Sequence, residues 1–338
     1  MTWQYLPIIA TLALVLVAGF RSMPRWGYAL GLYGIAAGVL LSTTLAGSQL
    51  VGSDIHIEYY YASLAQQSGW DSGLPHAVNT AFSVVMWSPA VADILHVDVL
   101  WVFKVVTPLL FAFLPVMLFL LYDRYLDSRG AFFAAFFVIA VPVFSLELSG
   151  LVRQQHAELW LVMAFVPLVA LPERWGTRLQ WLLVCAVGIA VCHYSLGMLF
   201  FVYLGGFALW GLARVKREGW KQAALPLLAI AVLFGFCGWY FQWAGAGIVM
   251  QHVGDVVGVQ VAAFTPAEVA GTGPAAAPLP VVAEFVDEGL RGSAFRVAAG
   301  LDFFAVPMEG KAFRILQFLT QGILLLGCVL SLRKKSEM

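Results

Sequence analysis

Long apolar runs dominate this chain. About nine of them, each roughly 17–25 residues, are long enough to cross a hydrocarbon core as helices. They cover residues 3–20, 27–46, 99–122, 131–147, 157–172, 179–194, 195–213, 224–243 and 312–332. Composition agrees: 61% of the residues are apolar and 11% charged, against roughly 45–50% and about 25% in a soluble domain. A soluble enzyme and a disordered tail are both excluded. The expected fold is all-α, a polytopic membrane protein of about nine transmembrane helices with interfacial helices on its outer side. The 12 Trp and 25 Phe suit a chain surrounded by lipid, with aromatic side chains at the interfaces. Zero net charge argues against nucleic acid as a partner, because a phosphate-binding surface needs a basic excess. Cys185, Cys192, Cys237 and Cys328 lie inside apolar runs with no C-x-x-C pair. They read as small core residues rather than as a disulfide frame or a metal site.

The loops sort by charge. One side holds Arg21, Arg25, Arg124, Arg129, Arg174, Arg178, Arg214, Lys216, Arg217, Lys221, Arg333, Lys334 and Lys335, which is 13 of the 19 basic residues. Five acids accompany them, leaving six basic and 14 acidic residues for the other side. The two faces thus carry +8 and −8, and the positive-inside rule makes the basic face cytoplasmic. The expected location is the cytoplasmic (inner) membrane, with the N-terminus outside and the C-terminus in the cytoplasm. The first span has no basic segment before it and no A-x-A cleavage site, and Arg21 and Arg25 follow it. It reads as a retained helix rather than a cleaved signal peptide. All six histidines then fall on the outer side or at outer helix ends, so any chemistry belongs outside.

Two long outer segments, 47–98 and 244–311, carry most of the polar residues there. The first contains G-S-D-I-H-I-E-Y-Y. On a helix Asp54 and Glu58, four apart, share a face and His56 points elsewhere; on a strand all three share one. The plainer reading makes Ser53 or Asp54 a helix cap, with Glu58 beside the positive end of the dipole. Residues 76–98 are apolar but interrupted by Pro89, which suits helices lying in the interface. A two-helix interfacial hairpin is expected here.

The turn between the fourth and fifth spans packs Glu147, Arg153, Gln154, Gln155, His156 and Glu158 into a dozen residues. Arg153 and His156 share a helix face, and Glu158 falls just inside the membrane edge, where ionisable groups face a cavity or a partner. Pairing of Arg153 with Glu147 or Glu158, as a simple helix cap, is the plainer reading. A third cluster, C-H-Y-S-L-G at 192–197, puts His193 and Tyr194 at the outer surface. Lys104 sits a turn inside the third span, from which its amine can snorkel outward. Residues 244–311 are rich in Ala, Gly and Pro around A-G-T-G-P-A-A-A-P-L-P, and read as a mobile loop followed by an amphipathic helix holding Arg291. No phosphate-loop or dinucleotide glycine pattern occurs.

This layout resembles the GT-C superfamily of integral-membrane glycosyltransferases. There an acidic motif opens the first long outer loop, interfacial helices follow, and a long mobile outer loop comes later. G-S-D-I-H-I-E stands at the acidic position. Together with R-Q-Q-H-A-E-L and C-H-Y-S-L-G it is similar to a little-characterised family of polytopic membrane proteins. The resemblance spans residues 27–332. It divides the chain into an extra N-terminal transmembrane helix (1–26), a GT-C-like core with its outer loop 47–98 (27–243), a mobile outer loop (244–311), and a last helix with a basic tail (312–338). The extra first helix and the absence of a soluble C-terminal domain depart from the superfamily pattern, so a separate acceptor-binding subunit is an expected partner.

The resemblance implies transfer of a sugar from a polyprenyl-phosphate carrier to an acceptor outside the cytoplasmic membrane, with the lipid tail between helices. Asp54 suits the general base and Glu58 stands beside it. Arg153 offers a fork for the departing phosphate, with Arg314, Arg291 or Lys104 assisting. His193 and His156 can donate hydrogen bonds, and His56 and Tyr194 are supporting candidates. Asp54, Glu58 and Glu158 could instead hold Mg²⁺ or Mn²⁺ through hard oxygen ligands. The alternative is a non-catalytic membrane subunit or scaffold in cell-surface polysaccharide assembly. A transporter fits less well, because no internal repeat is visible and the polar residues stay near one face.

Overall fold

The computed structural model describes residues 23–52, 54–170, 175–218 and 221–251. Among them the secondary structure is entirely helical. In chain order the elements are α1 (Arg25–Thr44), α2 (Asp54–Ser68), α3 (Ser88–Leu95), α4 (Val99–Tyr122), α5 (Ser128–Ala140), α6 (Pro142–Leu146), α7 (Val152–Ala170), α8 (Trp175–Cys192), α9 (Tyr194–Glu218) and α10 (Lys221–Trp243). Three described helices are long and apolar enough to cross a membrane: α1, α4, and α10 with its continuation to Gln251. A fourth arises if α5 and the residues after it count as one span, although the chain bends by 57° there. Pro142 explains that bend, since it has no N–H to give to the turn before it. The spans expected over 157–213 fall in α7, α8 and α9, within which Gln180–Cys192 and Tyr194–Gly206 are the apolar stretches among the described residues. The spans expected at 3–20 and 312–332 lie outside the described residues.

Large apolar side chains face outward along these helices: Leu30 is 62% exposed, Val202 70% and Phe234 74%. Such a surface is costly in water and matched to lipid. Inside, α1 packs on the later half of α4, on α5 and on α6 through Leu32, Leu40, Phe111, Phe119, Phe132 and Phe144. Helices α7 to α10 share a second core around Ala164, Ile189, Leu204 and Leu233. The third core joins α2, α3 and the start of α4 to the N-terminus of α7 through Ile55, Val84, Val99, Phe103 and Val152.

Two wide helical turns, Ser83–Trp87 and Val102–Val106, have backbone bonds five residues apart. Each precedes a proline, Pro89 and Pro108, near the start of the next α-helical stretch. A proline has no N–H for the carbonyl four residues back and its ring crowds that carbonyl, so widening the turn relieves the clash. For Pro108 that carbonyl belongs to Lys104, and the buried hydroxyl of Thr44 donates to it at 2.7 Å. Pro89 therefore does not end the helix within 76–98; the chain passes it by widening one turn.

The same region fixes the connection between α1 and α2. The amine of Lys104 is buried and donates to the carbonyls of Gly47 and Gln49, rather than reaching outward. Beyond it, Gly52 crosses Gly150 backbone to backbone. A Cβ on Gly150 would lie 3.0 Å from the Val51 carbonyl, and one on Gly52 3.2 Å from the Gly150 Cα. Gly52 also has φ +131°, which favours glycine. This crossing brings the first turn of α2 against the first turn of α7.

Candidate functional site

Residues 54–58 are helical, so Asp54 and Glu58 share a face and His56 points to the exposed side. That face meets the N-terminus of α7, whose first amides have no partner within their own helix. Glu58, with no exposed surface, supplies one: its Oε2 accepts the Val152 N–H at 2.8 Å. A residue 94 positions away in sequence thereby caps α7. Its Oε1 lies 2.9 Å from Arg153 Nε, a charge contact without the alignment of a hydrogen bond. The other arm of the guanidinium reaches back, with Nη2 donating to Asp54 Oδ2 at 2.8 Å. Arg153 is thus held between two carboxylates of opposite accessibility: Asp54 retains 47% of its side-chain exposure and Glu58 none.

Burial pushes the Glu58 carboxyl up to about 7, against the pull of the Arg153 charge and the amides of Val152 and Arg153; the nearby Asp54 charge adds a further upward push. Removal from water dominates because the charged form loses its hydration entirely.

His193 sits in the break between α8 and α9, close enough to interact electrostatically with both Arg153 and Asp54. Its ring stacks on Tyr194 with centroids 5.9 Å apart. Asp54, Glu58, Arg153 and His193 are thus brought together from three places in the sequence. Glu158 stands apart, a turn further along α7, where Gln154 Nε2 donates to its Oε1 at 2.8 Å. His156 is buried, with Nδ1 2.9 Å from the Val152 carbonyl and its ring edge-on to Trp87 at 4.4 Å. Lys104 holds the loop that leads to Asp54 and is no part of the cluster's charge contacts. Arg314 and Arg291 lie outside the described residues.

The donor set bears on a divalent ion. Glu58 is committed to the α7 amide and to Arg153, and Glu158 accepts from Gln154. Among the described residues no group of three or more His, Cys, Asp or Glu side chains is placed to hold a metal ion. Between Asp54 and Glu58 the guanidinium already stands where a cation would.

Beside this cluster, Tyr61 stacks on His76 with centroids 5.0 Å apart. The 70–80 loop carrying His76 is organised by buried Asn79. Its amide donates to the carbonyls of Asp71 and Leu74, and its Oδ1 accepts from Trp70 Nε1. The end of α10 and the turn after it dock here: Tyr240 donates to the Thr80 carbonyl at 2.7 Å and the Ala246 amide to the Ser72 carbonyl at 3.0 Å. The Val152 amide, Gly52 and Gly150 are site-building groups that sequence reasoning did not single out; glycines flanking the two polar motifs were the available signal.

No family model matches the chain, and neither a curated protein nor a solved structure matches it.

Proposed function

We propose that this protein is a membrane glycosyltransferase that moves a sugar from a polyprenyl-phosphate carrier to an acceptor on the outer face of the cytoplasmic membrane. One observation carries the reading: a solvent-reached carboxylate, Asp54, lies 2.8 Å from a guanidinium that a buried carboxylate holds from behind. A base and a phosphate-binding cation are the two groups such a transfer needs in one place. In the reaction the acceptor hydroxyl oxygen attacks the anomeric carbon and its proton passes to Asp54. The bond from that carbon to the phosphate oxygen breaks, and polyprenyl phosphate leaves with the electron pair. Displacement from the opposite face inverts the anomeric configuration. Arg153 meets the charge that gathers on the leaving phosphate, with His193 within electrostatic range. A divalent ion, were one used, would supply further positive charge at that phosphate, and the roles of Asp54, Glu58 and Arg153 do not depend on it.

A second reading has its own observation. The charge of Arg153 is already met by two carboxylates, and Glu58 caps α7. A brace of that kind would serve a non-catalytic subunit of a surface-polysaccharide assembly equally well. Transfer of label from a panel of radiolabelled polyprenyl-phosphate sugars, by purified protein in nanodiscs with and without Mn²⁺, separates the two. Product from the wild type that disappears in Asp54→Asn supports the transferase; equal product from both removes Asp54 as the base. No product from any donor, with the protein folded, favours the subunit.

A further inference from the structure

We infer that Asp54 occupies the place of the ligand's phosphate at Arg153, and that an anionic phosphate oxygen displaces it while Glu58 stays. The inference rests on the reading of this site as a polyprenyl-phosphate site and adds how the site opens. Two carboxylates converge on one guanidinium, so one negative charge is in excess when both are ionised. Accessibility sets the two apart. Glu58 is fully enclosed and bonded to the α7 amide, so its departure would strand both that amide and the Arg153 Nε. Asp54 is half exposed and is the first residue of α2, two residues after Gly52 with its positive φ.

The displaced carboxylate also has somewhere to go. The first amides of α2 have no partner within the helix, and an acid in that turn is favoured by the helix dipole. The arm it releases, Nη2, belongs to the same guanidinium whose Nε is held by Glu58, so the donor keeps its direction. Exchange of one anionic oxygen for another at that donor preserves the charge contact. It leaves Asp54 adjacent to the phosphate, where an acceptor hydroxyl would need a base.

Binding, read without turnover, tests this. Full-length protein in nanodiscs is titrated with a polyprenyl phosphate, with the uncharged polyprenol as control, for the wild type and for Asp54→Asn, Asp54→Ala and Arg153→Gln. Inorganic phosphate alone is followed by its effect on the thermal midpoint. Removing the competing carboxylate is expected to tighten polyprenyl-phosphate binding about threefold to tenfold in both Asp54 variants. Arg153→Gln is expected to weaken it at least about tenfold, as loss of a charged hydrogen bond does. Polyprenol binding should not change. If inorganic phosphate also protects the Asp54 variants more than the wild type, phosphate chemistry alone suffices; if only the lipid shows the gain, the ligand is the lipid headgroup. Equal or weaker binding of both ligands by the Asp54 variants, or unchanged binding by Arg153→Gln, overturns the exchange. Tighter binding in a protein that transfers no sugar would keep the exchange and remove the transferase. Transfer without the gain in binding would do the reverse.

Discussion

Replacing Glu58 with glutamine and with alanine separates the two things its carboxyl does. Burial pushes the carboxyl of the folded protein from an ordinary value of 4.5 up to about 7. Between those two pH values the native state binds a proton that the unfolded chain releases. The wild type therefore loses stability as pH rises from 4.5 to about 7 and loses no more above it. The difference is worth about 3 kcal/mol. Glu58→Gln keeps the shape, offers an oxygen to the Val152 amide, and has no proton to lose. Relative to the wild type it should gain about 3 kcal/mol across that window, ending at least as stable at pH 8. Glu58→Ala removes the acceptor altogether and strands the amide and half of the guanidinium, at a cost of about 3–5 kcal/mol. Thermal unfolding in nanodiscs at pH 5, 6, 7 and 8, followed by circular dichroism, reads both. A gap between wild type and Glu58→Gln that widens in the wild type's favour as pH rises would refute the reasoning. It would mean that attraction to Arg153 outweighs the loss of hydration, with the carboxyl held below its ordinary value.

Three further substitutions test the packing that positions the site. Gly188→Ala would place a Cβ 2.5 Å from the Trp160 ring, so the α7–α8 contact should lose about 1–3 kcal/mol, visible as a lowered thermal midpoint and altered tryptophan emission. Asn79→Ala removes the acceptor of Trp70 Nε1 and the donor to two carbonyls. It should cost about 2–3 kcal/mol and raise hydrogen exchange across 70–80. Lys104→Met keeps the buried stem but not the amine, leaving the Gly47 and Gln49 carbonyls without that donor. A loss of about 2 kcal/mol and faster exchange over 45–52 are expected, with α7 unaffected.

What the sequence shows of this molecule follows the range of the interactions involved. Runs of apolar residues are local, and α1 and α4 fall within a few residues of the spans expected at 27–46 and 99–122. The spacing of Asp54 and Glu58 is local too, and once the segment is helical it fixes their common face. The pairing of Arg153 is not. Glu147 and Glu158 are its sequence neighbours, yet the guanidinium goes to Asp54 and Glu58, 99 and 95 positions away. Nothing in the run R-Q-Q-H-A-E records that choice, which depends on two glycines crossing. Lys104 shows the same limit. A lysine a turn inside an apolar run reads as one that reaches for water, but the loop after α1 folds over it and offers carbonyls instead. The widened turns before Pro89 and Pro108 escape the sequence for another reason, since a proline in a helix can be met by a break, a kink or a wide turn.

A structure of the wild type with a polyprenyl phosphate bound tests the central claim most directly. The expected result is a phosphate oxygen about 2.7–2.9 Å from Arg153 Nη2, Glu58 still on the Val152 amide, and the Asp54 carboxylate turned away from the guanidinium but beside the phosphate. A phosphate held elsewhere, with the Asp54–Arg153 pair intact, would contradict it.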